Sequence, residues 1–311
     1  MTVLLTGASG FVGKTVLAAA KRRGVEMRPV FRSLDSAKGH SGAALVPGLD
    51  GEADWSQALQ GVDVVIHAAA RAHVMREEAL DPLIEYRRVN VQGTSNLARQ
   101  AAAAGARRFV FISSIKVNGE GTLPGRPFTA EDAPAPEDAY GISKAEAETE
   151  LRRITQETGM DVTIIRPPLI YGPCVKGNFS SLINWVRRGL PLPLGGVTHN
   201  RRSLVGVDNL VDLIWVCVEH PKAANQTFLI SDREDLSTTE LLRRIGKALS
   251  RPARLLWVPA GLIALMASLL GKKVISQRLL GSLQVDIRKT CELLEWTPIV
   301  AVDEGLRKAV E

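Results

Sequence analysis

Cysteine is scarce in this sequence of 311 residues. The three cysteines, Cys174, Cys217 and Cys291, are far apart and form no C-x-x-C pair. Their spacing argues against a disulfide framework and against a zinc site, and it is typical of proteins in a reducing compartment. We therefore expect no metal and a cytoplasmic location. Because an apolar strand pattern starts at Val3, we also expect no secretory signal peptide.

Aromatic residues are also scarce, at 5% of the chain. A nucleic-acid-binding surface would combine a basic stripe with aromatic side chains. The net charge of +6 is therefore better explained by a small anionic substrate, and we expect no nucleic-acid partner. The sequence has no low-complexity segment, which excludes a disordered chain.

Long apolar runs are missing as well. The most apolar stretch, residues 255–270, is interrupted by Pro259 and Gly261. It is shorter than the roughly 20 residues that cross a bilayer. We expect a buried or interfacial helix there and no integral membrane span, with contact at a membrane surface as the alternative.

Strand and helix patterns alternate through the first half of the chain. Strands are predicted at 3–5, 27–31, 62–67, 109–113 and 162–166, and helices at 14–23, 55–59, 82–104 and 140–158. This alternation predicts an α/β fold, a Rossmann-type doubly wound parallel sheet. In such a sheet ligands bind beyond the carboxyl ends of the strands.

A glycine-rich turn follows the first predicted strand. Gly7, Gly10 and Gly13 are spaced G-x-x-G-x-x-G and precede a helix pattern. A strand, a glycine turn and a helix present backbone N–H groups and a helix N-terminus to a pyrophosphate. We expect the turn to bind a dinucleotide, with contacts from Gly7, Ser9, Gly10, Phe11, Val12 and Gly13.

The second strand lacks the carboxylate that usually binds the adenosine ribose of NAD. Arg32 and Ser33 stand there instead, and an arginine at this place accommodates the 2′-phosphate of NADP. The sequence therefore favours NADP(H), with NAD(H) as the alternative. Asp50, near the end of a third short strand, is a candidate contact of the adenine region.

Small residues follow the fourth strand. Ala68, Ala69 and Ala70 allow the backbone to lie against a flat cofactor. His67 before them is interpreted as structural rather than catalytic. Asn90 disfavours a helix because its side chain competes for backbone hydrogen bonds, so we expect it to stabilise a local kink or a water.

The fifth strand ends at Ser113 and Ser114, and Tyr140 and Lys144 follow at a helix start. Residues four apart share one face of a helix. A neighbouring ammonium lowers the pKa of a tyrosine from about 10. With a strand-end hydroxyl close by, Tyr140 and Lys144 become a proton relay to a carbonyl or alcohol oxygen.

Together these motifs resemble the extended short-chain dehydrogenase/reductase family, in its nucleotide-sugar epimerase, reductase and dehydratase branch. The resemblance covers nearly the whole chain and includes residues 6–13, 67–70, 90–94, 111–114, 140 with 144, and 166–173. It implies that Ser114, Tyr140 and Lys144 are catalytic. Ser114 is preferred over Ser113 because the family's Val-Tyr-Gly tripeptide starts three positions after its catalytic hydroxyl residue. Here that tripeptide is residues 117–119, with asparagine in the middle.

The resemblance also implies the parts that bind substrate. Residues 1–170 would form the dinucleotide-binding domain, and residues 171–311 mainly a smaller C-terminal α/β domain for a UDP-sugar, with a strand or helix that returns to the first domain. Pro167 would lie in the loop over the nicotinamide, and residues 192–196 near the nucleotide base. Asn178, Arg202 and Arg278 would contact the diphosphate. Family members often form homodimers through two helices, here 82–104 and 140–158.

Three reactions share this scaffold. A 4,6-dehydratase carries an Asp-Glu pair directly after its catalytic hydroxyl residue, and Ile115 and Lys116 replace that pair here. Because Arg32 favours NADPH, the leading hypothesis is a reductase of a sugar C4 keto group. The resemblance implies that its substrate is a UDP-linked 4-keto-6-deoxy sugar, an N-acetylhexosamine of surface-polysaccharide synthesis. Lys116 would then hold a substrate oxygen. The alternatives are a UDP-hexose or UDP-N-acetylhexosamine 4-epimerase with bound NAD, and a non-catalytic NADP(H)-sensing protein.

Overall fold

A parallel seven-stranded sheet organises the first half of the protein. The structure is a computed structural model and describes residues 1–72, 81–271 and 273–311. The strand order is β3-β2-β1-β4-β5-β6-β9, and a second, two-stranded parallel sheet pairs β7 with β8. The strands are β1 (Thr2–Thr6), β2 (Glu26–Phe31), β3 (Ala44–Leu45), β4 (Val64–His67), β5 (Arg108–Ile112), β6 (Asp161–Arg166), β7 (Leu169–Tyr171), β8 (Leu204–Gly206) and β9 (Thr227–Leu229).

Helices cover both faces of the large sheet, with α1 and α8 on one face and α3, α5 and α6 on the other. In the described part of the chain the helices are α1 (Phe11–Arg23), α2 (Leu34–Ala37), α3 (Ser56–Leu59), α4 (Pro82–Tyr86), α5 (Gly93–Ala103), α6 (Ala139–Thr158), α7 (Asn178–Arg187), α8 (Val207–Glu219), α9 (Thr238–Ala248), α10 (Ala260–Leu269), α11 (Lys273–Leu280), α12 (Arg288–Leu294) and α13 (Val302–Val310). The predicted doubly wound α/β fold is confirmed.

Burial explains why the central strands are apolar without alternation. Every residue of β4 and β5 is buried, because a parallel sheet with helices on both faces leaves neither face to water. Val110 packs on the α1 and α8 side, and Phe109 packs on the side of α5 and α6.

A second hydrophobic core lies in the C-terminal half, where α7, α9 and α13 pack together around Phe179, Leu242 and Leu306. Two elements from beyond residue 170, β9 and α8, belong to the large sheet and its helix layer. No helix in the described ranges is both long enough and apolar enough to cross a bilayer.

The long helix predicted at 82–104 is divided. A π-helical turn, Arg87–Gln92, separates α4 from α5. Asn90, the residue expected to disturb the helix, is buried within this turn. The Asn90 side chain makes its hydrogen bonds from within this turn to Arg71 and Ser143, outside the helix.

Candidate active site

The glycine turn joins β1 to α1 through close backbone contacts. Gly7 has a φ of +72°, and a Cβ there would lie 2.8 Å from the backbone of Ala68 and of Ala69. A Cβ on Gly13 would lie 2.1 Å from the Gly7 carbonyl oxygen. The Gly10 N–H donates to that same oxygen at 2.9 Å. A side chain at Gly7 would therefore collide with the segment after β4, and one at Gly13 would force α1 away from the turn.

The N-terminus of α1 is suited to an anion. The residue that precedes the helix, Gly10, has no side chain to cap it, and the first turn of the helix contains no acidic residue. Amide N–H groups at a helix start carry partial positive charge, which favours a phosphate group. The cradle of backbone and this N-terminus therefore fit the pyrophosphate of a dinucleotide.

His67 has a structural role at the end of β4. Its ring nitrogens pair with the hydroxyls of Thr6 at 2.7 Å and Thr94 at 3.0 Å. The Ala69 N–H donates to the same Thr6 hydroxyl at 3.2 Å. Burial, assisted by the charge of Lys144, lowers the pKa of His67 to about 3. The imidazole is thus neutral at physiological pH and links β1, β4 and α5.

Asn90 fixes the segment that follows the three alanines. Its amide accepts from the Arg71 N–H at 2.8 Å and donates to the Arg71 carbonyl at 3.1 Å. It also donates to the Ser143 hydroxyl at 3.0 Å, which in turn donates to the Tyr140 carbonyl at 2.8 Å. Asn90 therefore connects the chain after Ala70 to the first turn of α6, and protein groups occupy the bonds for which we expected a water.

The predicted contacts of the adenosine ribose and of the adenine lie beyond β2 and β3. Arg32 is exposed directly after β2, and Ser33 caps α2, with its hydroxyl accepting from the Ser36 N–H at 3.4 Å. Asp50 accepts from the Glu52 N–H at 3.1 Å and forms an ion pair with Arg88 at 3.6 Å. Whether these residues contact a cofactor stays a prediction.

Ser114 and Tyr140 are brought together by the packing of α6 on the turn after β5. Ser114 caps the short 3-10 helix Ile115–Val117. A Cβ on Gly141 would lie 2.8 Å from the Lys116 carbonyl oxygen, so only glycine allows this approach. The Ile115 N–H donates to the carbonyl of the buried Pro167 at 3.0 Å. Gly141 is a site residue that sequence reasoning missed, although it directly follows the tyrosine.

The pKa of Tyr140 is raised, which is opposite to the predicted direction. Burial is the main cause, and the charge of Asp138 and the neighbouring Tyr86 add to it. An interaction with the Ser114 side chain acts in the opposite direction. The prediction assumed an ammonium beside the phenol, but the Lys144 ammonium has other neighbours in this structure. The protein alone thus keeps the Tyr140 phenol protonated at neutral pH.

Lys144 is almost fully buried, with 2% of its surface exposed. Its ammonium donates to the Ile112 carbonyl at 2.8 Å and lies 4.2 Å from the centre of the Phe111 ring. Burial lowers the pKa of Lys144 to about 7, against the opposing charge of Glu148. Its proton is therefore exchangeable near neutral pH, as a relay requires.

The second serine of the pair, Ser113, has a different role. Its hydroxyl donates to the buried Glu148 carboxylate at 2.6 Å. Arg166 binds the same carboxylate through two nitrogens, at 2.9 and 2.6 Å, and donates to the Asn118 side chain at 2.9 Å. Asn118 also donates to the Thr129 carbonyl at 3.0 Å. This network explains the asparagine in the 117–119 tripeptide and leaves Ser114 as the serine beside Tyr140.

Lys116 has two carboxylate partners. Its ammonium donates to Glu120 at 2.6 Å and also pairs with Asp138. Burial acts to raise the pKa of Asp138, but Lys116 and the Gly141 N–H outweigh it and hold that pKa below its usual value. Contact between Lys116 and a substrate oxygen stays a prediction.

The structure brings two of the three candidate phosphate residues together. Burial lowers the pKa of Arg202; the nearby Glu120 opposes this shift and Arg278 adds to it. The Arg202 guanidinium donates to the Gly281 carbonyl at 3.1 Å, just after α11, which carries Arg278. Asn178 begins α7 and is exposed. Within the described part of the chain no contact joins Asn178 to these two arginines.

The fold and this arrangement define a dinucleotide-dependent oxidoreductase of the extended short-chain dehydrogenase/reductase type. Residues 3–231 match the model of the NAD dependent epimerase/dehydratase family, and the chain belongs to that family, in its nucleotide-sugar branch.

Several known proteins of similar sequence or structure are sugar-nucleotide epimerases. A "UDP-glucose 4-epimerase" of Vibrio cholerae is 47% identical over all of this chain and 94% of its own length. The solved UDP-glucose 4-epimerase of Thermotoga maritima, with UDP-glucose, has a TM-score of 0.79 at 21% identity and covers 100% of this chain and 97% of its own. The UDP-glucuronic acid 4-epimerase of Bacillus cereus, in complex with NAD, has the same TM-score at 20% identity and the same coverage.

Proposed function

We propose that the protein is a 4-epimerase of a UDP-linked hexose or N-acetylhexosamine that works with bound NAD. The observation that carries this proposal is the full-length 47% identity to a UDP-glucose 4-epimerase. The Ser114, Tyr140 and Lys144 arrangement supports it, because a non-catalytic sensor of NADP(H) has no need of a proton relay. Epimerisation thus replaces C4 keto reduction as the leading hypothesis.

The residues of the chain would divide the work as follows. The backbone of Gly7, Gly10 and Gly13 with the start of α1 would hold the pyrophosphate of the cofactor. When bound, NAD supplies reversible hydride transfer at the sugar C4. The Tyr140 oxygen would take the proton from O4 and later return it, and the Ser114 hydroxyl would hold O4. Lys144 would grip the nicotinamide ribose and exchange protons.

This chemistry requires an ionised Tyr140 and a firmly bound substrate diphosphate. Tyr140 must lose its proton before the sugar is oxidised, yet its surroundings in the chain raise its pKa. A cationic nicotinamide near the phenol would lower that pKa by attraction between the positive ring and the phenolate.

Arg202 and Arg278 would bind the diphosphate of the substrate, because a guanidinium fork suits phosphate oxygens.

The second candidate is the reductase of a UDP-4-keto-6-deoxy sugar, and Arg32 favours it. An arginine with a neighbouring serine after β2 suits the 2′-phosphate of NADP. A reductase must exchange its cofactor at every turnover, whereas an epimerase must retain it.

The homodimer through α6 and the 82–104 region stays a prediction for either candidate, and a monomeric mass in sedimentation would contradict it.

Paired assays on the purified protein separate the candidates. One reaction contains UDP-glucose or UDP-N-acetylglucosamine without added cofactor, and the other contains a UDP-4-keto-6-deoxy sugar with NADPH or NADH. The proposal expects a change of sugar configuration in the first reaction. Consumption of reduced nicotinamide in the second reaction alone would establish the reductase.

Tyr140→Phe tests the proton relay. This variant should lower turnover at least about a thousandfold and leave NAD binding unchanged, and full activity in it would refute the relay.

A further inference from the structure

Helix α10 exposes an apolar stripe. Leu262, Leu265, Met266 and Leu269 are between 49% and 74% exposed. Their spacing of three, four and seven residues places them on one face of the helix. A face with this pattern normally packs against a core, yet no residue of α10 is buried.

The stripe continues beyond both ends of the helix. Leu256 and Trp257 lie before it and are 55% and 74% exposed, and Leu270 follows it at 66%. We call these seven residues, Leu256, Trp257, Leu262, Leu265, Met266, Leu269 and Leu270, the apolar α10 face. Single exposed apolar residues are common, but a contiguous set marks a contact surface for a protein or a membrane. Tryptophan is enriched where proteins meet the membrane–water boundary.

The charge of the residues around α10 favours a membrane over a protein as the partner of this face. Between Glu240 and Asp286 the sequence has no acidic residue and eight basic ones: Arg243, Arg244, Lys247, Arg251, Arg254, Lys272, Lys273 and Arg278. Arg254 and Arg278 are exposed, and within the described residues neither forms an ion pair with a carboxylate. Arg244 and Lys247 of this segment pair with Glu234 and Asp303, which leaves Arg254 and Arg278 to attract an external anion. An apolar surface beside these cations complements a bilayer with anionic headgroups.

The length of α10 fits a helix that lies on a bilayer. Ten residues extend about 15 Å along a helix axis, half of the roughly 30 Å of a hydrocarbon core. We propose that the apolar α10 face docks on an anionic lipid surface, with Arg254 and Arg278 at the headgroups. The proposal does not depend on which reaction the site performs.

Hydrogen bonds tie this face to the substrate half of the protein. Leu192 donates its N–H to the Arg254 carbonyl at 2.8 Å and accepts from the Leu256 N–H at 2.8 Å. The Gly195 N–H donates to the Leu256 carbonyl at 2.9 Å. Residues 192–196 are the segment predicted to lie near the nucleotide base. Docking would therefore hold the candidate substrate region close to the lipid surface.

Flotation with lipid vesicles tests the proposal. The full-length protein should float with vesicles of phosphatidylglycerol and phosphatidylethanolamine and remain behind with pure phosphatidylcholine. The double variant Leu265→Glu/Leu269→Glu should lower the bound fraction about tenfold. The matched control Leu123→Glu/Ile299→Glu changes two exposed apolar residues elsewhere and should bind like the wild type. Circular dichroism and thermal melting show whether each variant is folded.

Trp257 gives a second, local readout. Its emission should shift to shorter wavelength with anionic vesicles, and the shift should disappear in Trp257→Phe. Equal vesicle binding by the α10 variant and the control would overturn the proposal, as would a wild type that binds no anionic vesicles. A wild-type dimer that Leu265→Glu/Leu269→Glu converts to monomers, without vesicle binding, would make the face an interface between two copies and would equally overturn it.

Discussion

The Lys116 ammonium pairs with the Asp138 carboxylate, two residues before the candidate catalytic tyrosine. Asp138 also caps α6 by accepting from the Gly141 N–H at 2.7 Å. Its negative charge contributes to the raised pKa of Tyr140. Lys116, which stands where a dehydratase has its acidic pair, is thus paired with a carboxylate that raises the pKa of Tyr140.

We therefore expect Lys116→Met to shift the pH dependence of turnover. Without the ammonium, the Asp138 charge opposes ionisation of Tyr140 more strongly, so the limb that requires an ionised tyrosine moves to higher pH. A shift of up to about one pH unit, or 1.4 kcal/mol, is expected. The measurement is kcat against pH, and Lys116→Arg should restore the wild-type curve. An unchanged curve in Lys116→Met would show that the pair has no influence on Tyr140.

Burial of Lys144 predicts a pH-dependent effect on stability. The pKa of Lys144 is about 7 in the folded protein and 10.5 when unperturbed. As the pH rises, the folded protein loses this proton at a lower pH than the unfolded chain does. The free-energy cost of burying the charged amine is therefore fully present below pH 7 and decreases as the pH rises toward 10.5. Lys144→Met should therefore raise the free energy of unfolding more at pH 6 than at pH 9, by about 2–3 kcal/mol.

Urea unfolding at the two pH values measures this difference. Lys176→Met, at an exposed lysine, is the matched control and should show the same change at pH 6 and pH 9. An equal effect of Lys144→Met at both values would mean that the buried amine keeps its ordinary pKa.

Gly13 offers a comparison between two helical glycines. A Cβ at position 13 would overlap the Gly7 carbonyl oxygen, whereas a Cβ on Gly261 in α10 meets no atom within 4 Å. Gly13→Ala should displace the turn and weaken dinucleotide binding at least about tenfold, and Gly261→Ala should leave it unchanged. Calorimetric titration with NAD measures both. Wild-type affinity in Gly13→Ala would contradict the role of this close packing.

Arg32 tests where the adenosine ribose binds. Arg32→Asp replaces a partner for the 2′-phosphate with one for the ribose hydroxyls. The ratio of NAD affinity to NADP affinity should therefore rise about tenfold or more. Dissociation constants of the two cofactors for wild type and variant give this ratio. A ratio that changes less than twofold would place Arg32 away from the ribose.

The sequence was sufficient for the fold and for the parts of the site that depend on local pattern. Apolar runs predicted the strands because both faces of the sheet are buried, and glycine spacing predicted the turn after β1. Boundaries differed by a few residues: α1 begins at Phe11 rather than Lys14. The helix predicted at 82–104 divides at the residue that was singled out, Asn90.

Contacts between distant segments could not be predicted. The direction of the Tyr140 pKa shift depends on burial and on Asp138, and no spacing rule contains either. Ser113 and Asn118 belong to a buried network through Glu148 and Arg166, which lie on different elements. The comparison with known proteins likewise moved the leading reaction from reduction to epimerisation, because Arg32 alone had favoured NADPH.

The most direct test of the proposed epimerase follows the hydrogen at C4. UDP-glucose deuterated at C4 is incubated with the purified protein without added cofactor, and the products are analysed by NMR and mass spectrometry. The account predicts UDP-galactose that retains nearly all of the deuterium at C4, because the hydride is removed and returned within one active site. The account would be contradicted if the same protein left UDP-glucose unchanged but reduced a UDP-4-keto-6-deoxy sugar with reduced nicotinamide.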